Sequence, residues 1–105
     1  GDHVTVRTAT GSFTAPAYPY LGVRQDTVAV ALGRGHTAYG RYARNIGVNP
    51  LVAVPAAEDA TSGALALTVT RAQVTREGDH SDLVTTEGSA RQHGRGIAQA
   101  VLASE

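Results

Sequence analysis

At 105 residues the chain is bounded to one domain at most, with a modest core that must be aliphatic: it has one Phe, four Tyr, no Trp and no Met. Cys is absent, which excludes disulfides, an iron–sulfur cluster held by this segment and a thiol nucleophile. The formal net charge is zero, but the charges are segregated: no acid lies between Asp26 and Glu58, a stretch that holds Arg34, His36, Arg41 and Arg44. A local excess of about three positive charges among glycines favours an anionic ligand; the alternative is an ordinary basic loop paired with the acids near the end of the chain. No run approaches the roughly 18 apolar residues of a membrane span. The opening Gly1-Asp2-His3-Val4 is not a signal peptide and reads as a turn running into a strand.

Residues 3–8 alternate, with Val4, Val6 and Thr8 on one face and His3, Thr5 and Arg7 on the other, which predicts a half-buried strand. Thr10-Gly11-Ser12 predicts a hairpin turn, and Phe13, Ala15 and Ala17 carry a second strand over 12–18. Pro16 lacks a backbone donor, so that strand belongs at a sheet edge or carries a bulge. After a turn at Leu21-Gly22-Val23, residues 27–32 are short and apolar on both faces, which predicts a strand buried on both sides. Residues 33–50 form a long Gly- and Arg-rich segment with a short helix near 38–44. Pro50 and Pro55 punctuate the next stretch, and 56–63 is loop. Leu65, Leu67 and Val69 alternate before the apolar phase moves to Ala72 and Val74, which predicts a bulged strand over 64–75. Residues 77–94 are polar and are expected to be extended or mobile. Ile97, Val101 and Leu102 sit at helical spacing and predict a short amphipathic helix, packed on the domain or on a partner. The sum is a mainly β domain of short strands with one long irregular loop. A loop of that length in so small a domain is usually functional or disordered.

Gly33-Arg34-Gly35-His36-Thr37-Ala38 matches the G-x-G-x-x-A dinucleotide pattern, and Glu58 follows at about the 20-residue spacing which that fingerprint expects. Gly40 and Gly47 interrupt the helix it requires, and hairpin-like segments stand where βαβ units belong, so a Rossmann module is the lesser alternative. The four His are scattered without metal-ligand spacing. No Ser sits in a nucleophile-elbow pattern, and no broad basic face supports nucleic-acid binding. What remains is the loop itself. Glycines let a backbone approach a ligand, and Arg34, Arg41 and Arg44 can fork onto phosphate oxygens. Tyr39 and Tyr42 offer flat faces, and Asn49 offers both a donor and an acceptor to a heterocycle edge. The plainer readings are core for the two tyrosines, and for Asn49 the cap of a turn before Pro50.

Gly1-Asp2-His3-Val4-Thr5-Val6, the Gly11 turn and Leu21-Gly22-Val23-Arg24-Gln25-Asp26-Thr27-Val28-Ala29 resemble the molybdopterin-dinucleotide-binding domain found at the C-terminus of molybdopterin oxidoreductases of the DMSO reductase family. The run from Gly33 to Arg44 is similar to that family's Gly-His loop, and Gly47-Val48-Asn49-Pro50-Leu51 to its Gly-x-Asn-x-Leu element. Thr61-Ser62-Gly63-Ala64-Leu65, on through Val74, resembles its Ser-Gly run and last barrel strand. The likeness covers residues 1 to about 76. Leu83-Val84-Thr85-Thr86-Glu87-Gly88-Ser89, with His93-Gly94-Arg95-Gly96-Ile97, looks like the extension of the branch that holds alternative complex III iron–sulfur subunits and polysulfide-reductase-like proteins.

The resemblance implies a double-psi β-barrel of the aspartate-decarboxylase-like type over 1–76, lacking the strand and helix that precede the family's Gly-Asp turn. Residues 77–105 are then a polar C-terminal extension with a short helix. It implies a bacterial cofactor-binding domain that holds a pterin dinucleotide while redox chemistry occurs on other domains. Gly33, Arg34, Gly35, His36, Thr37, Arg41 and Asn49 would be cofactor-proximal. The cofactor would be molybdopterin guanine dinucleotide (bis-MGD) in the parent protein, with molybdenum or tungsten, and none on the isolated chain, which is not expected to be catalytic or to bind it better than weakly. Partners would be other domains of the same polypeptide, with iron–sulfur and membrane subunits beyond them, and neither nucleic acid nor direct membrane insertion. The site of action would be the bacterial cytoplasm or the periplasmic face of the inner membrane. In the alternative complex III branch the barrel is kept without the cofactor, so a structural domain of a membrane-associated electron-transfer complex is the alternative. An exposed sheet edge left by the absent strand is expected to favour self-association.

Overall fold

The computed structural model describes residues 1–68 and 70–84. The expected helix at Ile97, Val101 and Leu102 lies outside the described residues. A three-stranded antiparallel sheet is built from β1 (Asp2–Arg7), β2 (Ser12–Pro16) and β3 (Gln73–His80), in the order β2-β1-β3. One helical turn, α1 (Gly40–Ala43), and a 3-10 turn (Pro50–Ala53) are the helical elements among the described residues.

β1 and β2 form a hairpin because alternation and turn chemistry agree. Val4 pairs with Ala15 and Val6 with Phe13 on one face, while Thr5 pairs with Thr14 on the other, their hydroxyls 2.7 Å apart. The turn is closed by the Thr8 amide donating to the Gly11 carbonyl at 2.8 Å. Thr8 also donates from its hydroxyl to the Ala53 carbonyl at 2.7 Å, which ties the hairpin to the 3-10 turn. Pro16 sits on an edge strand, where its missing N–H costs nothing. The core lies between the Val6 face and the 3-10 turn: Val6 is 6% exposed and Ala53 2%. Pro50 is buried beside them.

Two expectations need correction. Residues 27–32 form no strand, and they are exposed. A strand apolar on both faces is stable only when flanked by pairing strands and covered above and below, and none of the described segments does either for 27–32. Residues 64–75 are likewise not one strand. Leu65 makes an isolated bridge to Glu58, and regular pairing begins only at Gln73.

β3 instead runs into the polar segment, with all eight of its residues exposed. Backbone pairing to the free side of β1 decides this, because a ladder needs peptide groups whatever their side chains. Val74 opposite Val6 supplies its one apolar pairing with β1. A register shift between Asp2 and Val4 leaves Glu77, Gly78 and Asp79 opposite His3 alone, so the bulge falls there and not at the phase change before Val74. Pairing resumes past that irregularity, with His80 opposite Asp2. The antiparallel order and the single helical turn leave no βαβ unit, so the Rossmann alternative finds no support among the described residues.

Candidate functional site

The segment 33–49 doubles back on itself. The Gly35 amide donates to the Ile46 carbonyl at 3.0 Å, and the Asn45 amide to the His36 carbonyl at 2.8 Å. His36 and Arg44 form a parallel bridge. Gly35 has φ +80° and lies so close to Val48 and Asn49 that a Cβ would run into their backbone. Glycine is therefore required there twice over, for its conformation and for the close approach. Gly33 has φ +100° with nothing within 4 Å of where a Cβ would stand, so open space lies on that side of its Cα.

This reversal makes a cavity of about 280 Å³ lined by Gly33, Arg34, His36, Tyr39, Tyr42, Ala43 and Ile46. α1 presents Tyr42 and Ala43 to it, and the His36 and Tyr39 rings meet at 5.0 Å with their planes 31° apart. Arg41 packs on Tyr42. Its guanidinium stacks over the Tyr42 ring at 4.6 Å and donates to the Tyr42 hydroxyl. Among the described residues Arg34, Arg41 and Arg44 make no salt bridge. Of the described acids, Asp26 pairs with Arg24, Asp2 with Arg76 and His80, and Asp82 with His80.

The structure brings Gly33, Arg34 and His36 to one cavity and sets Gly35 behind it against Asn49. Thr37 and Arg41 are not among its lining residues. The Asn49 side-chain oxygen accepts from the Leu51 amide at 3.2 Å and caps the 3-10 turn, the plainer of its two readings. Ala43 and Ile46 are wall residues that the sequence reading does not single out. A signal for them exists: positions 39, 42, 43 and 46 follow the i, i+3, i+4, i+7 spacing of one helical face.

The one-sided positive charge, the open glycine backbone and the flat rings suit a phosphorylated heterocycle. Among the described residues there is no group of three His, Cys, Asp or Glu that could hold a metal ion. No helix there is long and apolar enough to cross a membrane.

Over 51 residues, 48% of the chain, the sequence is 45% identical to the arsenate respiratory reductase molybdopterin-containing subunit ArrA of Shewanella sp. (strain ANA-3). That likeness supports the molybdopterin oxidoreductase family. The match spans 6% of the subunit's length, so the chain corresponds to a small part of a much longer relative. No family model and no solved structure matches the chain.

Proposed function

We infer that this chain is part of the cofactor-binding C-terminal domain of a molybdopterin-dependent oxidoreductase, with a double-psi β-barrel as the complete fold and the loop 33–49 as a wall for the dinucleotide. One observation carries the reading: a reversed Gly–Arg loop whose cavity walls include Arg34 and His36 and no acid. The likeness to the arsenate reductase subunit supports it independently.

The residues present fit one part of molybdopterin guanine dinucleotide. A cavity of 280 Å³ lies just below the roughly 300–1,000 Å³ of whole-ligand sites, so it takes a ring or a diphosphate and leaves the rest to other domains. The Arg34 guanidinium would donate to phosphate oxygens, the Gly33 peptide would allow their close approach, and the His36 and Tyr39 rings would border a flat ring system. Gly35 and Asn49 would keep the loop in shape from behind. Thr37 and Arg41 are assigned supporting positions, reached only if the loop adjusts. When bound, the cofactor supplies the metal and its redox chemistry; the chain binds and orients.

Titration of the chain with the guanine dinucleotide form of molybdopterin by calorimetry at low salt tests this. Binding weaker than micromolar that falls with added salt and drops about tenfold in Arg34→Ala is expected, about 1.4 kcal/mol for one lost charge-assisted contact. No heat at any salt would favour the cofactor-free structural domain, the role that the likeness of residues 83–97 to the alternative complex III branch suggests.

A further inference from the structure

His3 and His80 have polar partners at the end of the sheet. His3 Nε2 lies 2.6 Å from the Ser81 hydroxyl, and His80 stands between Asp2 at 3.0 Å and Asp82 at 3.8 Å. His36 is placed differently. It lines the cavity of the 33–49 loop together with Arg34, and its ring meets Tyr39 at 5.0 Å. Its backbone is held by the Asn45 amide and by the bridge to Arg44, so the loop carries the ring without needing a contact from it. The stem of Arg34 stands against Gly47, its Cβ 3.0 Å from where a Gly47 Cβ would be. The ionisable groups of the wall are therefore one guanidinium, one imidazole and the phenols of Tyr39 and Tyr42, with no carboxylate.

Histidine is the side chain whose charge changes between about pH 5 and 8, whereas arginine and tyrosine keep their protons across that range. Two opposing effects act on such a ring. Before an anion arrives, the Arg34 charge in the same wall, with Arg41 and Arg44 on the same loop, opposes a further positive charge. A phosphate held in that wall reverses the sign, because a neighbouring anion favours the charged ring. Proton uptake and anion binding then strengthen each other by the same factor. His36 is exposed, so water screens the effect and holds it to a few-fold in affinity.

We propose that His36 makes phosphate capture by this loop proton-linked: the imidazole takes up a proton from solvent as the phosphorylated ligand enters, and binding tightens as the pH falls. The added proton goes to the ring nitrogen that lacks one, so the bound ring is a donor at both nitrogens. The sign follows from the count: the ligand-bound chain holds more protons than the free chain, so low pH favours the bound state. That link presupposes the loop as a phosphate-binding wall and adds its response to pH.

Calorimetry on the whole chain at low salt tests it, with diguanosine diphosphate as the probe. Both phosphates of that molecule are diesters, so its charge is constant over the window, unlike a terminal phosphate, which titrates near about pH 6. Affinity is expected to rise about fivefold between about pH 8 and pH 5.5. Titrations at one intermediate pH in two buffers of unlike ionisation enthalpy are expected to show net proton uptake. His36→Gln is expected to bind with the high-pH affinity throughout and without uptake. His36→Arg, whose charge is fixed, is expected to bind with the low-pH affinity throughout, and His80→Gln to leave the slope unchanged. Unchanged amide exchange at Gly35 and Asn45 shows that the His36 variants keep the loop; where a variant loses it, the buffer comparison on the wild-type chain decides, and absent uptake overturns the proposal. Binding of equal strength at every pH overturns it and leaves the phosphate-binding reading standing, as does a slope that survives in His36→Gln. No binding of the probe at any pH overturns both.

Discussion

Asp2 holds one end of the sheet. Its carboxylate accepts from His80 Nδ1 at 3.0 Å and from Arg76 at 2.9 Å, both on β3. The His80 hydrogen bond first, and the Arg76 charge second, hold its pKa below the usual carboxylate value against a small opposing effect of burial. A carboxylate depressed in the folded state adds stability that is present above its unfolded value and disappears as pH falls through the folded one. The β1–β3 contact in the wild-type chain is therefore expected to loosen as pH drops below about 4, whereas Asp2→Asn is already loosened at neutral pH and changes little over that window. Amide exchange in residues 73–80 against pH reads this, and parallel profiles for the two proteins would refute it. Asp59 is depressed for a different reason: it accepts from Ser62 and Thr61 within one turn, so it stabilises that turn and no long-range contact. Gly35 is the residue on which the loop most depends. Gly35→Ala is expected to cost more than about 1 kcal/mol locally, because φ +80° disfavours a side chain and the Val48–Asn49 backbone has no room for one. Faster exchange at the Gly35-to-Ile46 bond with an unchanged hairpin would be the sign of it.

At the scale of elements, the hairpin was legible in the sequence because three local signals coincide. Val4 and Val6 alternate with Thr5 and Arg7, Gly11 closes the turn, and Pro16 marks an edge. The short helix near 38–44 was legible too, though the structure gives it one turn, Gly40–Ala43. β3 was hidden because its side chains carry almost no apolar signal, and its position depends on an unpaired edge of β1 some 70 residues away. Residues 27–32 misled for the opposite reason. Their composition announces a buried strand, but burial needs neighbours, and periodicity cannot say whether the described chain supplies them. The candidate site was half legible. The glycines and Arg34 could be read from type and spacing, but which residues share a wall depends on how the loop reverses at Asn45, a non-glycine residue at φ 60°. Val6 joins the hairpin to the 3-10 turn, and Val6→Ala removes two buried methyl groups there. At about 0.8 kcal/mol per group the loss is about 1.5 kcal/mol, a large share of what so small a core can supply. Chemical denaturation with matched slopes would measure it, and a loss under about 0.5 kcal/mol would mean that the core lies elsewhere.

At the scale of the molecule, exposed apolar surface dominates. Tyr18, Tyr20, Leu21, Tyr39, Tyr42 and Val84 are each more than half exposed. Among the described residues only Val6 and Ala53 are buried hydrophobic side chains. Large apolar side chains left in water favour association. The isolated chain is therefore expected to associate, with apparent size rising over the micromolar range in light scattering. The cavity of about 280 Å³ has room for only part of the cofactor proposed for it, so binding is expected to be weak, with the Arg–phosphate contacts of the remainder screened by water. A chain that stays monomeric at about 100 µM and yet binds the cofactor below micromolar would overturn this account. Such behaviour requires a closed and self-sufficient domain, which this distribution of apolar surface does not describe.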